Sequence, residues 1–351
     1  MLSWCVYDKL KTVFFMCTVR TMTLCSLEMH LLLTFMSFQF KIELDILFEG
    51  QCVMEIKDFS QWEEYNGNSM GSGRSEKIWL TFGDEIGLFK FPKQATDGTI
   101  TYEHISEKLA YDIATLLDIP CAKIDIGTYN GRYGSMSYRI NKENEELLEG
   151  ILFISGLLPD YDKDKLYDSK NKIYYSLQMI FPIIDLLGFI KEFFQMIVFD
   201  ALIGNSDRHH SNWAILRSND GINFSPLYDN GSSLCCYVKE SDIDGILGKD
   251  IRRFTSLVTS KSKSRIRIDM CTKKEPEFID VLVHIFCNEK YREYCVSIVE
   301  KIIERMTENN IKAILKDYPE NILSSKRKAL LFHFLTQKVN IIKMIFEKGV
   351  I

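Results

Sequence analysis

Residues 204–212 read Gly-Asn-Ser-Asp-Arg-His-His-Ser-Asn, and a little further on residues 227–232 read Leu-Tyr-Asp-Asn-Gly-Ser. The first stretch follows a strongly apolar run, residues 188–203, which reads as a helix closed by Gly204-Asn205, both tolerant of the left-handed conformation that ends helices. Between the two stretches lie residues 212–217 (NWAILR) and 222–227 (INFSPL), short strand-like runs on either side of Ser218-Asn219-Asp220-Gly221. If the turn centres on Asn219-Asp220, antiparallel pairing sets Asn212 opposite Leu227, so Asn212 and Asp229 fall at the same end of the hairpin. Asp207 is held just upstream by the helix end. A carboxylate and two further oxygen donors therefore converge.

That set suits phosphoryl transfer from ATP, which needs a carboxylate to orient the attacking hydroxyl and oxygen ligands to hold Mg²⁺ on the phosphates. Magnesium takes hard oxygen donors, commonly one or two carboxylates together with the phosphates themselves. An Asp with an Asn five residues later is frequent by chance; the informative pattern is helix, Gly-Asn, Asp-Arg-His, Asn, hairpin and Asp-x-Gly in that order. Asp207 reads as the catalytic base, and Asn212 and Asp229 as the metal ligands.

Working towards the N-terminus, residues 77–82 (KIWLTF) and 87–91 (GLFKF) read as a hairpin turning at Gly83-Asp84-Glu85 and stopped by Pro92. Lys90 projects from the second strand among Leu88, Phe89 and Phe91, and is the candidate cation for the phosphates. Residues 103–118 read as a helix whose buried stripe is Ile105, Leu109, Ile113, Leu116 and Leu117. Glu107 is the preferred partner for Lys90, with Glu103 the alternative on the same helix. Residues 122–129 and 133–140 flank Asn130-Gly131, a strong hairpin signal. The glycine-serine loop Gly71-Ser72-Gly73-Arg74-Ser75 precedes the Lys90 hairpin and could cradle phosphates with its backbone N–H groups. The expected fold is α+β and two-lobed like a protein kinase, with a small β-rich lobe over residues 54–140 and a mostly helical lobe over 141–351.

The remaining features set limits. A net charge of −5 over 351 residues argues against a general nucleic-acid binder. Ten cysteines show no metal-ligand spacing, and the Cys235-Cys236 neighbours read as free thiols of a reducing cytoplasm. His209 and His210 are adjacent and point differently, so they chelate one ion poorly; His209 is expected to bond loop backbone and His210 to lie on the surface. Residues 261–267 (KSKSRIR) read as a solvated loop. Residues 1–53 read as an extension or appendage of uncertain role, with an accessory helix or a membrane-associated segment as alternatives; Arg20, Glu28 and His30 interrupt their apolar run, which weighs against a membrane anchor.

At Lys77-Ile78, Phe89-Lys90-Phe91-Pro92, Ser106-Glu107, Gly127-Thr128-Tyr129, residues 204–213 and residues 226–231 the chain resembles the HipA-like serine/threonine kinases, in their short forms. The resemblance implies a two-lobed kinase, ATP and Mg²⁺, and transfer to a Ser or Thr hydroxyl of a protein substrate. It assigns Asp207 as base, Asn212 and Asp229 to Mg²⁺ and Lys90 to phosphate; Lys77, Gly71, Ser72, Gly73 and Ser75 are the candidate nucleotide-binding residues beside them. It further implies autophosphorylation of a loop serine, Ser72 or Ser75, that silences the enzyme, and a toxin–antitoxin setting with a DNA-binding antitoxin partner. Two departures stand out: the loop reads Met-Gly-Ser-Gly-Arg-Ser without the family's Gly-Gly pair, and residues 1–53 have no counterpart. Two other functions fit less of the pattern. A phosphoinositide-type lipid kinase shares the Asp-Arg-His-x-x-Asn loop, and a nucleotide-binding regulator of a DNA-binding partner would need no catalysis.

Overall fold

Period-two burial builds the first sheet. The computed structural model describes residues 54–65, 76–95 and 97–348, so residues 1–53 and the loop positions Gly71, Ser72, Gly73 and Ser75 lie outside the described residues. The strands are β1 (Lys57–Asp58), β2 (Glu63–Glu64), β3 (Lys77–Phe82), β4 (Glu85–Lys90), β5 (Ile124–Tyr129) and β6 (Arg132–Tyr138). Their order is β1-β5-β6-β4-β3-β2, with β1 and β5 parallel and the other pairs antiparallel. The β3–β4 turn is one residue tighter than expected, because Glu85 pairs with Phe82. Asn130 and Gly131 both take positive φ, 50° and 75°, the two-residue turn that matches strand twist.

Directly paired residues share a face, and the register here is informative. Lys77, Lys90 and Ser135 form one row across β3, β4 and β6, and Trp79, Leu88 and Ser137 form another on the same face. The opposite face carries Leu80, Phe89 and Met136, which bury with Phe59 in a small core of their own. Helix α1 (Glu103–Leu116) sends Ile105, Leu109, Ala110, Ile113 and Ala114 into the larger core, joined by Leu117, whereas Leu116 is only partly buried.

Beyond residue 140 the chain is mostly helical but not wholly so. β7 (Glu146–Glu149) leads into α2 (Gly150–Leu157), and β8 (Tyr161–Asp162), β9 (Tyr167–Asp168) and β10 (Ile173–Tyr174) form a small antiparallel sheet. Strands this short show no period in the sequence. Next come α3 (Leu177–Leu187), α4 (Ile190–Ile203), β11 (Ala214–Ser218) and β12 (Gly221–Phe224). The remainder is α5 (Ile243–Ile246), α6 (Ile251–Val258), α7 (Phe278–Cys287), α8 (Glu289–Arg305), α9 (Glu308–Lys316) and α10 (Ser325–Lys348).

From Phe193 to Ile203 every α4 residue except Gln195 is buried, so α4 is the axis of this lobe. Gly188 closes α3 at φ 81° rather than opening α4, a correction of the expected boundary. Residues 261–267 are not a solvated loop: Ser262, Ser264, Ile266 and Arg267 are buried, and bridges from Lys263 to Glu277 and Arg267 to Ser176 tie the strap down. Among the described residues α10 is the one helix long and apolar enough to cross a membrane, and its apolar residues pack against α4, α7 and α8. Among the described residues no cysteine, Cys235 and Cys236 included, is in a disulfide.

Candidate active site

A cleft of about 1480 Å³ opens between the sheet face that carries Lys77 and Lys90 and the loop that follows α4. The loop begins where Gly204, at φ 69°, ends the helix. Asn205 then turns the chain: its Nδ2 donates to Asp200 Oδ1 at 3.1 Å while its Oδ1 accepts the Asp207 N–H at 3.1 Å. His209 N–H donates to Asp207 O at 2.7 Å, and Asn212 Nδ2 donates to the same oxygen at 2.8 Å. The amino end of the Asn212 amide is therefore tied to the loop backbone.

The hairpin register is the one the turn residues dictate, Ser218 with Gly221 and Ile215 with Phe224, which places Asn212 level with Leu227. The ladder itself stops short of that pair, since Leu227 bridges to Cys121 instead. Asp229 follows at φ 54°, a conformation uncommon for a residue other than glycine. Its Oδ1 accepts from Lys90 Nζ at 2.8 Å, and Lys90 Nζ also donates to Glu107 Oε1 at 2.6 Å. Glu103 is taken by Lys93 at 2.6 Å. Lys90 thus joins the sheet, α1 and the segment after the hairpin at one ammonium.

Electrostatics follow from this packing. Burial opposes the Lys90 charge, but the Asp229 and Glu107 carboxylates outweigh it and hold the ammonium protonated. The Lys90 charge keeps Asp229 well below the usual carboxylate range. Burial pushes Glu107 up, with Lys90 offsetting part of that. Asp207 is raised as well, by burial first, with the His209 charge opposing and Asp229 adding to the rise. Lys77 is lowered by burial and by Lys90 beside it in the row.

One group in the loop was not singled out from the sequence. Arg208 is fully buried and donates to both Asp200 oxygens, from Nε at 2.9 Å and Nη2 at 2.7 Å. It also reaches Asn212 O at 2.6 Å, Tyr228 O at 2.8 Å and Asn230 Oδ1 at 2.6 Å. One guanidinium therefore clasps the α4 helix, the Asp207 loop and the residues on either side of Asp229. The legible signal was Asp200, a lone acid inside FFQMIVFDALI, because a buried charge requires a partner. His210 corrects an expectation: it is buried, not on the surface, with Nδ1 3.2 Å from Tyr161 OH, and burial lowers its pKa to about 4. His209 Nδ1 accepts from the Ser211 backbone N–H at 3.1 Å.

Among the described residues no three His, Cys, Asp or Glu side chains are grouped to hold a metal by themselves. Asn212 and Asp229 are two oxygen donors at one cleft, a set that suits Mg²⁺ completing its shell on phosphates and water rather than an all-protein cage.

Comparison with known proteins agrees with this architecture. A family model of the HipA-like C-terminal domain matches residues 70–311. The serine/threonine-protein kinase CtkA of Helicobacter pylori strain J99 is 24% identical over 279 residues, which is 76% of this chain and 80% of that protein. The crystal structure of the H. pylori proinflammatory kinase CtkA superimposes with a TM-score of 0.70 at 22% identity, covering 84% of this chain and 98% of that one. HipA of Shewanella oneidensis MR-1, solved with HipB and operator DNA, is 14% identical with a TM-score of 0.48 over 86% of this chain and 69% of that one. With its two-lobed kinase fold and a family match over most of its length, the chain belongs to the HipA-like C-terminal domain family.

Proposed function

We propose that the chain is an ATP- and Mg²⁺-dependent kinase that phosphorylates serine or threonine hydroxyls of proteins. The observation that carries this reading is Lys90 Nζ, 2.6 Å from Glu107 and 2.8 Å from Asp229, in a cleft that also holds Asp207 and Asn212. A cation secured by two carboxylates, facing a carboxylate base, is what phosphoryl transfer asks of a protein. The curated relative's designation as a serine/threonine-protein kinase supports the choice of acceptor.

In this reading Lys90 binds the α/β-phosphates, with Lys77 as a second cation in its row. Ile86 and Leu88 from the sheet and Leu147 from β7 supply apolar lining for the purine. Asp207, as the carboxylate, accepts the proton of the attacking hydroxyl. The hydroxyl oxygen bonds to the γ-phosphorus while the bond to the β–γ bridging oxygen breaks, leaving ADP. Asn212 and Asp229 would hold Mg²⁺, which when bound neutralises charge on the phosphate oxygens. Burial raises the Asp207 pKa and so strengthens the carboxylate as a base. The proposal extends to the loop: Gly71, Ser72, Gly73 and Ser75 as a phosphate cradle, and Ser72 or Ser75 as an autophosphorylation site. On family membership alone it also includes a cytoplasmic location and a DNA-binding antitoxin partner, for which co-elution of the neighbouring gene's product on co-expression is the check.

The test is radiolabelled ATP with Mg²⁺ and the purified chain beside Asp207→Ala, followed by mass spectrometry of the product. The wild type should label serine or threonine, and the variant should be slower by about 10²-fold or more while remaining folded. Comparable rates in the two proteins would remove Asp207 as the base.

A further inference from the structure

The Lys90–Glu107–Asp229 arrangement depends on α1 and on the segment after Asp229 lying against each other, and neither holds that position by its own local preference. Tyr102, which opens α1, makes no side-chain capping bond. Its backbone N–H instead donates to Cys236 O at 3.0 Å, in the segment that follows Asp229. That segment passes through Leu234 and Cys235 at φ 50° and 57°, two consecutive non-glycine residues in the left-handed region. Such a path persists only where its surroundings enforce it. Gly231, in the same segment, runs so close to α1 that an added Cβ would sit 3.2 Å from Glu107 Cγ.

The enforcing group comes from the far end of the chain. Arg327, near the start of α10, is 1% exposed. Its Nη2 donates to Val238 O at 2.6 Å, its Nη1 to Cys235 O at 3.4 Å and its Nε to Glu240 Oε2 at 3.2 Å. The same guanidinium lies over the Tyr102 ring, with Cζ 3.5 Å from the centroid. Ser324 Oγ, just before α10, donates to the other Glu240 oxygen, so Ser324 and Arg327 together grip one carboxylate. A planar cation with donors along its edge and a ring against its face can join a strained backbone to a helix start, which a lysine at the same place could not do.

We infer that Arg327 is a positioning residue: it pins the segment after Asp229 to the start of α1, so that Lys90 meets Glu107 and Asp229 together. This rests on the phosphotransfer reading of the cleft, but the pin itself can be measured without activity. The two elements are assembled from the C-terminal helix, through residues that do not line the cleft.

The experiment compares the full chain with Arg327→Met, Arg327→Lys, Glu107→Gln and the Arg327→Met/Glu107→Gln double variant. Amide hydrogen exchange without nucleotide should speed up by about tenfold or more over residues 106–112 in Arg327→Met, while residues 193–203 of α4 keep the wild-type rate. With ATP and Mg²⁺, the KM for ATP should rise by about tenfold, more than kcat falls, and Arg327→Lys should restore little of it. Because Arg327 acts partly through Glu107, the double variant should lose less transfer rate than the product of the two single losses. Unchanged exchange in α1, or losses that multiply in the double variant, would overturn the pin. If Arg327→Met does not fold, Tyr102→Leu removes the ring and its hydroxyl bond to Glu240 while keeping Arg327 in place, and decides the matter by the same exchange and KM measurements. A wild type that neither binds nor hydrolyses ATP would overturn the phosphotransfer reading instead, and the exchange comparison would still decide the pin.

Discussion

At the scale of single residues, burial sets the chemistry. Asp207 is raised by desolvation whereas Asp229 is held down by Lys90, so two aspartates at one cleft are pushed in opposite directions. The signs lead to different pH behaviour. In the proposed role of base Asp207 has to be a carboxylate to accept a proton, so kcat/KM should fall as the pH drops through its raised value. The midpoint of that acid limb should lie above the ordinary aspartate value of about 3.9. A limb at or below that value, measured from pH 3.5 to 7, would exclude Asp207 as the titrating base. Asp229, depressed in the fold, contributes stability that is present above the unfolded carboxylate value and is lost as the pH falls through its lower folded value. Arg208 sits fully buried in an ion pair with Asp200. Replacing it with Met strands Asp200 as a buried charge, and urea denaturation should show a loss of about 3–5 kcal/mol. Asp200→Asn/Arg208→Met should cost less than the single change, because the orphaned charge is then gone as well.

At the scale of elements, close backbone approach decides where Lys90 sits. β4 and β6 run so near each other at Gly134 that an added Cβ would lie 2.4 Å from Lys90 O and 2.6 Å from Phe89 Cε1. Gly134→Ala must push the strands apart, which should destabilise the protein by about 1–3 kcal/mol. It should also raise the KM for ATP by moving the Lys90 backbone; a stability loss with unchanged KM would mean that the Lys90 side chain absorbs the shift. Hairpins were the elements most legible beforehand. Asn130-Gly131 announces its own turn, and a short hairpin around Asn219-Asp220 has a single register that keeps the buried side chains inside. The basic residues of the strap 261–267 suggest solvent, whereas the alternate residues Ser262, Ser264 and Ile266 face inward. Strands β8 to β10, two residues each, carried no readable period.

At the scale of the whole molecule, ligand binding to the assembled cleft should appear as global stability. MgATP at about 100 times its Kd should stabilise the fold by about 2.7 kcal/mol, read as a rise in thermal midpoint. ATP without Mg²⁺ should give a smaller rise, and Asp229→Ala should abolish the difference between the two; an equal rise with and without the metal would count against the Asn212–Asp229 pair as its holder. The sequence by itself determined the two-lobed α+β plan, the order of Asp207, Asn212 and Asp229 along the chain, and the hairpin that brings the last two level. Those features rest on local rules: apolar period, turn chemistry, and the left-handed residue that ends a helix. Only the tertiary structure decided that Lys90 meets Glu107 while Lys93 takes Glu103, that Arg208 clasps three elements around Asp200, and that Arg327 reaches the start of α1 from the last helix. Each of these joins residues distant along the chain, and which charge finds which partner in a packed interior is a property of the whole core.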